Sequence, residues 1–143
     1  MSAESTAAGP APATQGIVLV IDDEPGIRKF ALRVLETAGY QVVGAGDGQQ
    51  GLAVFAQPGS GIAAVVMDLS MPGMDGRELA GALRRFAPDM PILVMSGYSD
   101  DEVAERLSGL GVVDFVHKPF RPADLIERLA TALARKAGVG EPR

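Results

Sequence analysis

Five short apolar runs alternate with amphipathic segments along this chain at intervals of about 20 to 25 residues, the spacing of βα units that carry parallel strands. The runs fall at 17–22, 41–45, 62–68, 91–95 and 112–116 and consist mostly of Val, Ile, Leu, Met and Ala. Continuous rather than alternating hydrophobicity suits strands buried on both faces. The first amphipathic segment, 25–38, sets Ile27, Phe30, Ala31, Val34 and Leu35 on one stripe, with Pro25 placed for a first helical turn and Gly39 for the helix end. The last, 122–136, repeats the pattern with Leu125, Ile126, Leu129, Ala132 and Leu133. Weaker helical patterns lie at 47–56, 75–87 and 100–109. Five parallel strands and five helices make an α/β doubly wound sheet, whose ligand site lies beyond the carboxyl ends of the strands where strand order reverses.

Four of the five runs finish in groups with chemistry. Asp22 and Asp23 end the first, Asp68 the third, Ser96 the fourth, and Lys118 follows the fifth. Since all sit at strand ends, their separation in sequence is no barrier to their meeting in space. Three crowded carboxylates repel one another, by about 1 kcal/mol per pair at 4 Å in water and nearer 4 kcal/mol at an effective dielectric of 20. A hard divalent cation offsets that. Mg2+ suits a few carboxylates plus retained waters, with Mn2+ as the alternative. With phosphate oxygens drawn toward the cation, the Asp68 carboxylate can attack phosphorus and form an acyl phosphate. Lys118 then pairs with the new phosphoryl group, the Ser96 hydroxyl donates to it, and Gly97 leaves the approach clear. The plainer alternatives are that Asp22 and Asp23 cap the following helix, that Ser96 is a turn residue, and that Lys118 is a solvated surface lysine.

Composition narrows the class further. A chain of 143 residues with 47% hydrophobic and 22% charged residues suits one ordinary globular domain, burying roughly 65–70% of its unfolded surface. A formal charge of -5 without a Lys/Arg cluster argues against direct nucleic-acid binding. Absence of cysteine excludes disulfides, thiol catalysis and Cys-ligated metals, and suits a reducing cytoplasm. No apolar stretch approaches the ~20 residues of a membrane span, and no basic-then-apolar secretory start is present, so neither membrane insertion nor export is expected. Residues 1–15, rich in Ala, Pro, Ser and Thr, read as a flexible leader, 16–136 as the domain, and 137–143 as a tail.

The blocks IVLVIDDEP (17–25), MDLSMPGMDG (67–76), Met95-Ser96-Gly97 and FVHKPF (115–120) resemble, in order, the signature blocks of two-component response-regulator receiver domains. The likeness spans about residues 16 to 136. It implies a flavodoxin-like (βα)5 fold with strand order 2-1-3-4-5. By the same likeness Asp68 is the phosphoacceptor and Asp23 the acidic metal ligand, assisted by Asp22, while the main-chain carbonyl of Ser70 completes the metal site. The side chains of Ser70 and Tyr98 fall where the family tunes the lifetime of the acyl phosphate. Ser96 matches the hydroxyl switch, Phe115 the aromatic switch, and Lys118 the lysine followed by a cis proline, Pro119. The expected donor is a sensor histidine kinase or a histidine phosphotransfer protein. An unknown downstream protein is expected on the face formed by 100–136. The resemblance further implies a signalling receiver that takes part only in its own phosphorylation and slow dephosphorylation.

Rival readings account for less of the chain. Gly46-Asp47-Gly48-Gln49-Gln50-Gly51 matches a dinucleotide-binding pattern, but it leaves Asp22, Asp23 and Lys118 without a role; Asp47 suits a helix N-cap instead. A phosphatase of the haloacid dehalogenase type needs a second Asp two residues after the nucleophile, and that position is Ser70. A receiver-like binding platform without phosphorylation would leave the complete set of reactive residues idle. His117, the single histidine, reads as a surface residue pointing away from the side of Lys118, so the phosphoryl group must come from another protein or domain. With no output domain after residue 136, the chain suits a stand-alone receiver or one from a larger protein such as a hybrid sensor kinase.

Overall fold

A computed structural model of the chain describes residues 16–110 and 114–136. The strands are β1 (Ile17–Ile21), β2 (Gln41–Ala45), β3 (Ile62–Asp68), β4 (Ile92–Ser96) and β5 (Asp114–His117). The helices are α1 (Pro25–Thr37), α2 (Gly48–Ala56), α3 (Gly76–Phe86), α4 (Asp100–Arg106) and α5 (Pro122–Lys136). All strand pairs are parallel and the order is β2-β1-β3-β4-β5, as the resemblance implies. The leader expected at 1–15, the tail at 137–143 and the start of the fifth run, 112–113, lie outside the described residues.

Alternation along each strand divides the core into two layers. Leu19 and Ile21 of β1, Val65 and Met67 of β3, and Ile92 and Val94 of β4 face α2, α3 and α4, meeting Leu79, Leu83, Val103 and Leu107. Val18, Val20, Val66, Leu93 and Met95 face α1 and α5, meeting Ala31, Val34, Leu35, Leu125 and Leu129. Because both faces are covered, the strands are apolar at nearly every position.

Helix ends follow local chemistry. Asp47 accepts from the Gln50 amide at 2.7 Å, Asp75 from the Glu78 amide at 2.9 Å, and Ser99 forms a reciprocal capping box with Glu102. Gly39, at φ 105°, closes α1. Departures from the sequence reading fall on α1 and on the fourth helix. Phe30 is 44% exposed and stacks on Phe120 with centroids 5.7 Å apart, because it lies at the rim of the α1 stripe. The fourth helix ends at Arg106 instead of 109, where Ser108 and Gly109 favour a turn and Gly109 takes φ 85°.

One close approach carries a stability prediction. At Gly76 the first turn of α3 comes so near Leu69, the residue after β3, that an added Cβ meets the Leu69 carbonyl oxygen at 2.5 Å and its Cα at 2.7 Å. Backbone cannot move aside as a flexible side chain can. Gly76→Ala is expected to destabilise the fold by about 1–3 kcal/mol in denaturant unfolding; a change below a few tenths would show that α3 is free to shift.

Candidate functional site

The strand order reverses between β1 and β3, which lie side by side with β2 and β4 outside them, so the crevice opens at their carboxyl ends. The Asp22 amide donates to the Ala45 carbonyl at 3.1 Å, extending the β1–β2 ladder by one residue. Its Oδ1 accepts from the Glu24 amide at 2.9 Å, and Arg28 Nη1 donates to its carbonyl at 2.7 Å. Asp22 is thus fully buried while Asp23 is exposed. Neither caps α1: Glu24 holds the N-cap position and makes no side-chain cap bond. Asp68 closes β3, and its Oδ1 accepts from the Ser70 amide at 3.1 Å. The Lys118 amide donates to the Ser96 carbonyl at 2.7 Å, so β4 places the lysine; the Lys118–Pro119 bond is cis.

Lys118 Nζ lies 3.1 Å from Asp68 Oδ2 and 3.4 Å from Asp22 Oδ2. Ligand oxygens of Asp22, Asp23 and Asp68 all fall within 4.8 Å of one another. Beside them opens a cavity of about 410 Å³ lined by Asp23, Glu24, Asp68, Ser70, Gly97, Tyr98 and Lys118. Ser96 is buried at the neighbouring strand end, its hydroxyl accepting from the Tyr98 amide at 2.8 Å. Phe115 stands apart from the carboxylates, half-buried against the layer that holds Val103 and Leu107 and edge-on to His117. His117 is exposed, and its Nε2 meets Asp100 Oδ1 at 2.6 Å.

Burial pushes the Asp68 carboxyl above its ordinary range, more than the Lys118 hydrogen bond and charge and the Ser70 amide pull it down; the Asp22 charge adds to the rise. For Lys118, burial acts downward, but hydrogen bonding to Asp68 and attraction to Asp68 and Asp22 prevail and hold its ammonium above the usual lysine value. A raised Asp68 pKa means that the folded state binds this proton more tightly than the unfolded state. Its contribution to stability is therefore complete below the ordinary aspartate value of 3.8 and is lost as pH climbs through the raised one.

Three carboxylates facing one ammonium leave a net charge of -2 in the ionised site. Asp22 Oδ2 is buried and accepts no hydrogen bond, with the lysine beside it at ion-pair distance. An all-oxygen set with an unsatisfied buried acceptor fits a hard divalent cation such as Mg2+, which Asp22, Asp23 and Asp68 would hold. Bound there, the cation would neutralise the cluster and attract phosphate oxygens. Since protons compete for the same oxygens, magnesium at about 100 times its Kd should stabilise the fold by about 2.7 kcal/mol at pH 7 and far less at pH 4, read as a shift in Tm. Equal shifts at both pH values would contradict ligation by these carboxylates.

The family model for the response regulator receiver domain matches residues 18–130. The chain belongs to that family. Curated relatives include a probable transcriptional regulator ycf27 of Porphyridium aerugineum, 38% identical over 120 residues and covering 82% of this chain and 48% of its own length. Another is the response regulator MprA of Mycolicibacterium vanbaalenii, 38% identical over 129 residues, covering 87% and 54%. The receiver spans about half the length of these relatives. Among solved structures, the chemotaxis protein CheY4 of Vibrio cholerae superposes with a TM-score of 0.76 at 29% identity, covering 82% of this chain and 98% of its own. Receiver domains of this family serve two-component signalling, bind Mg2+ through an acidic pocket, and interact with histidine kinases and downstream effectors. Among the described residues, no helix is long and apolar enough to cross a membrane.

Several residues of the receiver's site escaped the sequence reading. Glu24 lines the cavity, and Arg28 holds the Asp22 backbone from the first turn of α1. The acidic run Asp22-Asp23-Glu24 was a signal for the first. Arg106, which lies over the Tyr98 ring from the last turn of α4, had none.

Proposed function

We propose that this receiver is the phosphoacceptor switch of a two-component or phosphorelay system, with Asp68 taking a phosphoryl group from a phosphohistidine on a sensor kinase or phosphotransfer protein. The observation that carries the reading is Lys118 Nζ between Asp68 and Asp22, at the rim of an open cavity that Asp68 itself lines. Asp68 supplies the nucleophilic oxygen, and Ser70 holds the other carboxylate oxygen through its amide. Asp22, Asp23, Asp68 and the Ser70 carbonyl would hold the cation. Lys118 neutralises the arriving phosphoryl oxygens.

In the relay, the Ser96 hydroxyl leaves the Tyr98 amide for the phosphoryl group, and Phe115, already half-buried, turns inward behind it. Phenylalanine has no hydroxyl to strand on burial. The exchange biases a two-state equilibrium of the 96–120 region and changes affinity for a protein partner on the α4–β5–α5 face. The test is incubation of the purified chain with phosphohistidine donors and magnesium. Transfer should give a label that hydroxylamine cleaves, as an acyl phosphate requires, and chelation should prevent it. Failure across a panel of kinases and phosphotransfer proteins, or a hydroxylamine-stable label, would reject the assignment.

A further inference from the structure

The mouth of the acceptor cavity is bridged. Tyr98 and Ser70 both line it, and their hydroxyls meet at 3.1 Å across the gap between the loops that follow β3 and β4. A single hydrogen bond between two exposed hydroxyls is easily exchanged for water. The ring carries a second restraint, since the Arg106 guanidinium carbon lies over its face, 4.2 Å from the centroid. Arg106 is itself placed from a third element: Arg77 of α3 donates to the carbonyls of Arg106 and Ser108 at 2.9 and 2.8 Å, pinning the end of α4.

We propose that Arg106 is a positioning residue, whose guanidinium holds the Tyr98 ring across the cavity mouth and thereby sets how fast water reaches a phosphoryl group on Asp68. This rests on Asp68 being the acceptor and deepens that reading by naming what governs the persistence of the signal. Hydrolysis requires a water oxygen to bond phosphorus as the bond to Asp68 Oδ breaks. The carboxylate leaves with the electron pair, and the water's protons pass to inorganic phosphate and solvent. Attack in line with the departing oxygen comes from the solvent side, where the bridge sits. The position of α4 thus reaches the acceptor through two side chains, Arg106 and Tyr98. A partner that moves α4 would change the lifetime of the mark it reads.

A cation over an exposed aromatic ring biases a local equilibrium by a factor of about 2 to 5. Arg106→Met, which keeps an unbranched stem and removes the charge, should shorten the half-life of the labelled receiver by about that factor. Arg106→Lys should fall between Arg106→Met and the parent. The receiver has two tyrosines and no tryptophan, so in a Tyr40→Phe background emission reports Tyr98 alone. Acrylamide quenching there should rise in Arg106→Met. In Tyr98→Ala, adding Arg106→Met should change the half-life no further. An unchanged half-life in Arg106→Met, or the same change persisting without Tyr98, overturns the inference while leaving the acceptor assignment standing. A parent protein that takes no label overturns both.

Discussion

Asp68→Asn is expected to reduce incorporation of label from a phosphohistidine donor to background, a loss of at least about two orders of magnitude, because an amide oxygen is no nucleophile toward phosphorus. The substitution should leave the fold intact. An Asn oxygen can still accept the Ser70 amide, and Lys118 keeps Asp22 as its partner. Removing one carboxylate also relieves repulsion by Asp22, which contributes to the raised Asp68 pKa. The variant's stability relative to the parent should therefore rise as pH increases through the carboxylate range, since only the parent must ionise the buried Asp68 carboxyl there. Normal labelling in Asp68→Asn would move the reaction to another carboxylate, and Asp23, exposed at the same cavity, is the one to map by borohydride reduction and mass spectrometry.

Lys118→Ala is expected to leave labelling measurable but to abolish the change in partner affinity that labelling causes. On the proposed assignment the nucleophile and cation ligands remain, whereas the group that senses phosphoryl oxygens is gone. Breaking a fully buried pair by removing one partner costs about 3–5 kcal/mol, and the Lys118 side chain is 21% exposed, so a loss of about 1–3 kcal/mol is expected here. The lysine pKa is raised on folding, so its contribution is fully present below the ordinary value of 10.5 and disappears only as pH rises through the raised one. The destabilisation should thus be the same at pH 7 and pH 9. Magnesium should restore more stability to Lys118→Ala than to the parent, because the carboxylates then lack their ammonium. Partner binding that still responds to labelling in Lys118→Ala would remove the lysine from the relay.

Hydrophobic patterning located the strands because each run is buried on both faces, yet pairing decided where two of them stop. Met95 ends the fourth apolar run, but β4 continues to Ser96, which pairs with His117, and that pairing carries β5 one residue past its own run. The fourth strand starts at Ile92 and not at Pro91, which has no amide hydrogen to give the ladder. Phe30 shows the opposite error: it fits the helical stripe by period, but its fate depends on Phe120, which contacts it from beyond β5. Within the candidate site, Asp22, Asp23, Asp68, Ser96 and Lys118 were legible as polar groups terminating apolar runs. The capping alternative for Asp22 and Asp23 was equally legible, and only the backbone geometry around Glu24 removed it.

By itself, the order of residues determined the strands and helices and the type of sheet, since period, turn residues and caps act over a few neighbours. It also determined which reactive groups stand at strand ends. Tertiary structure alone decided which of two adjacent aspartates is buried, that Lys118 divides itself between Asp22 and Asp68, and that Ser70, Tyr98 and Arg106 meet across the mouth of the cavity. Those outcomes depend on distances between separate elements, and such distances are set by how the two core layers pack against the sheet.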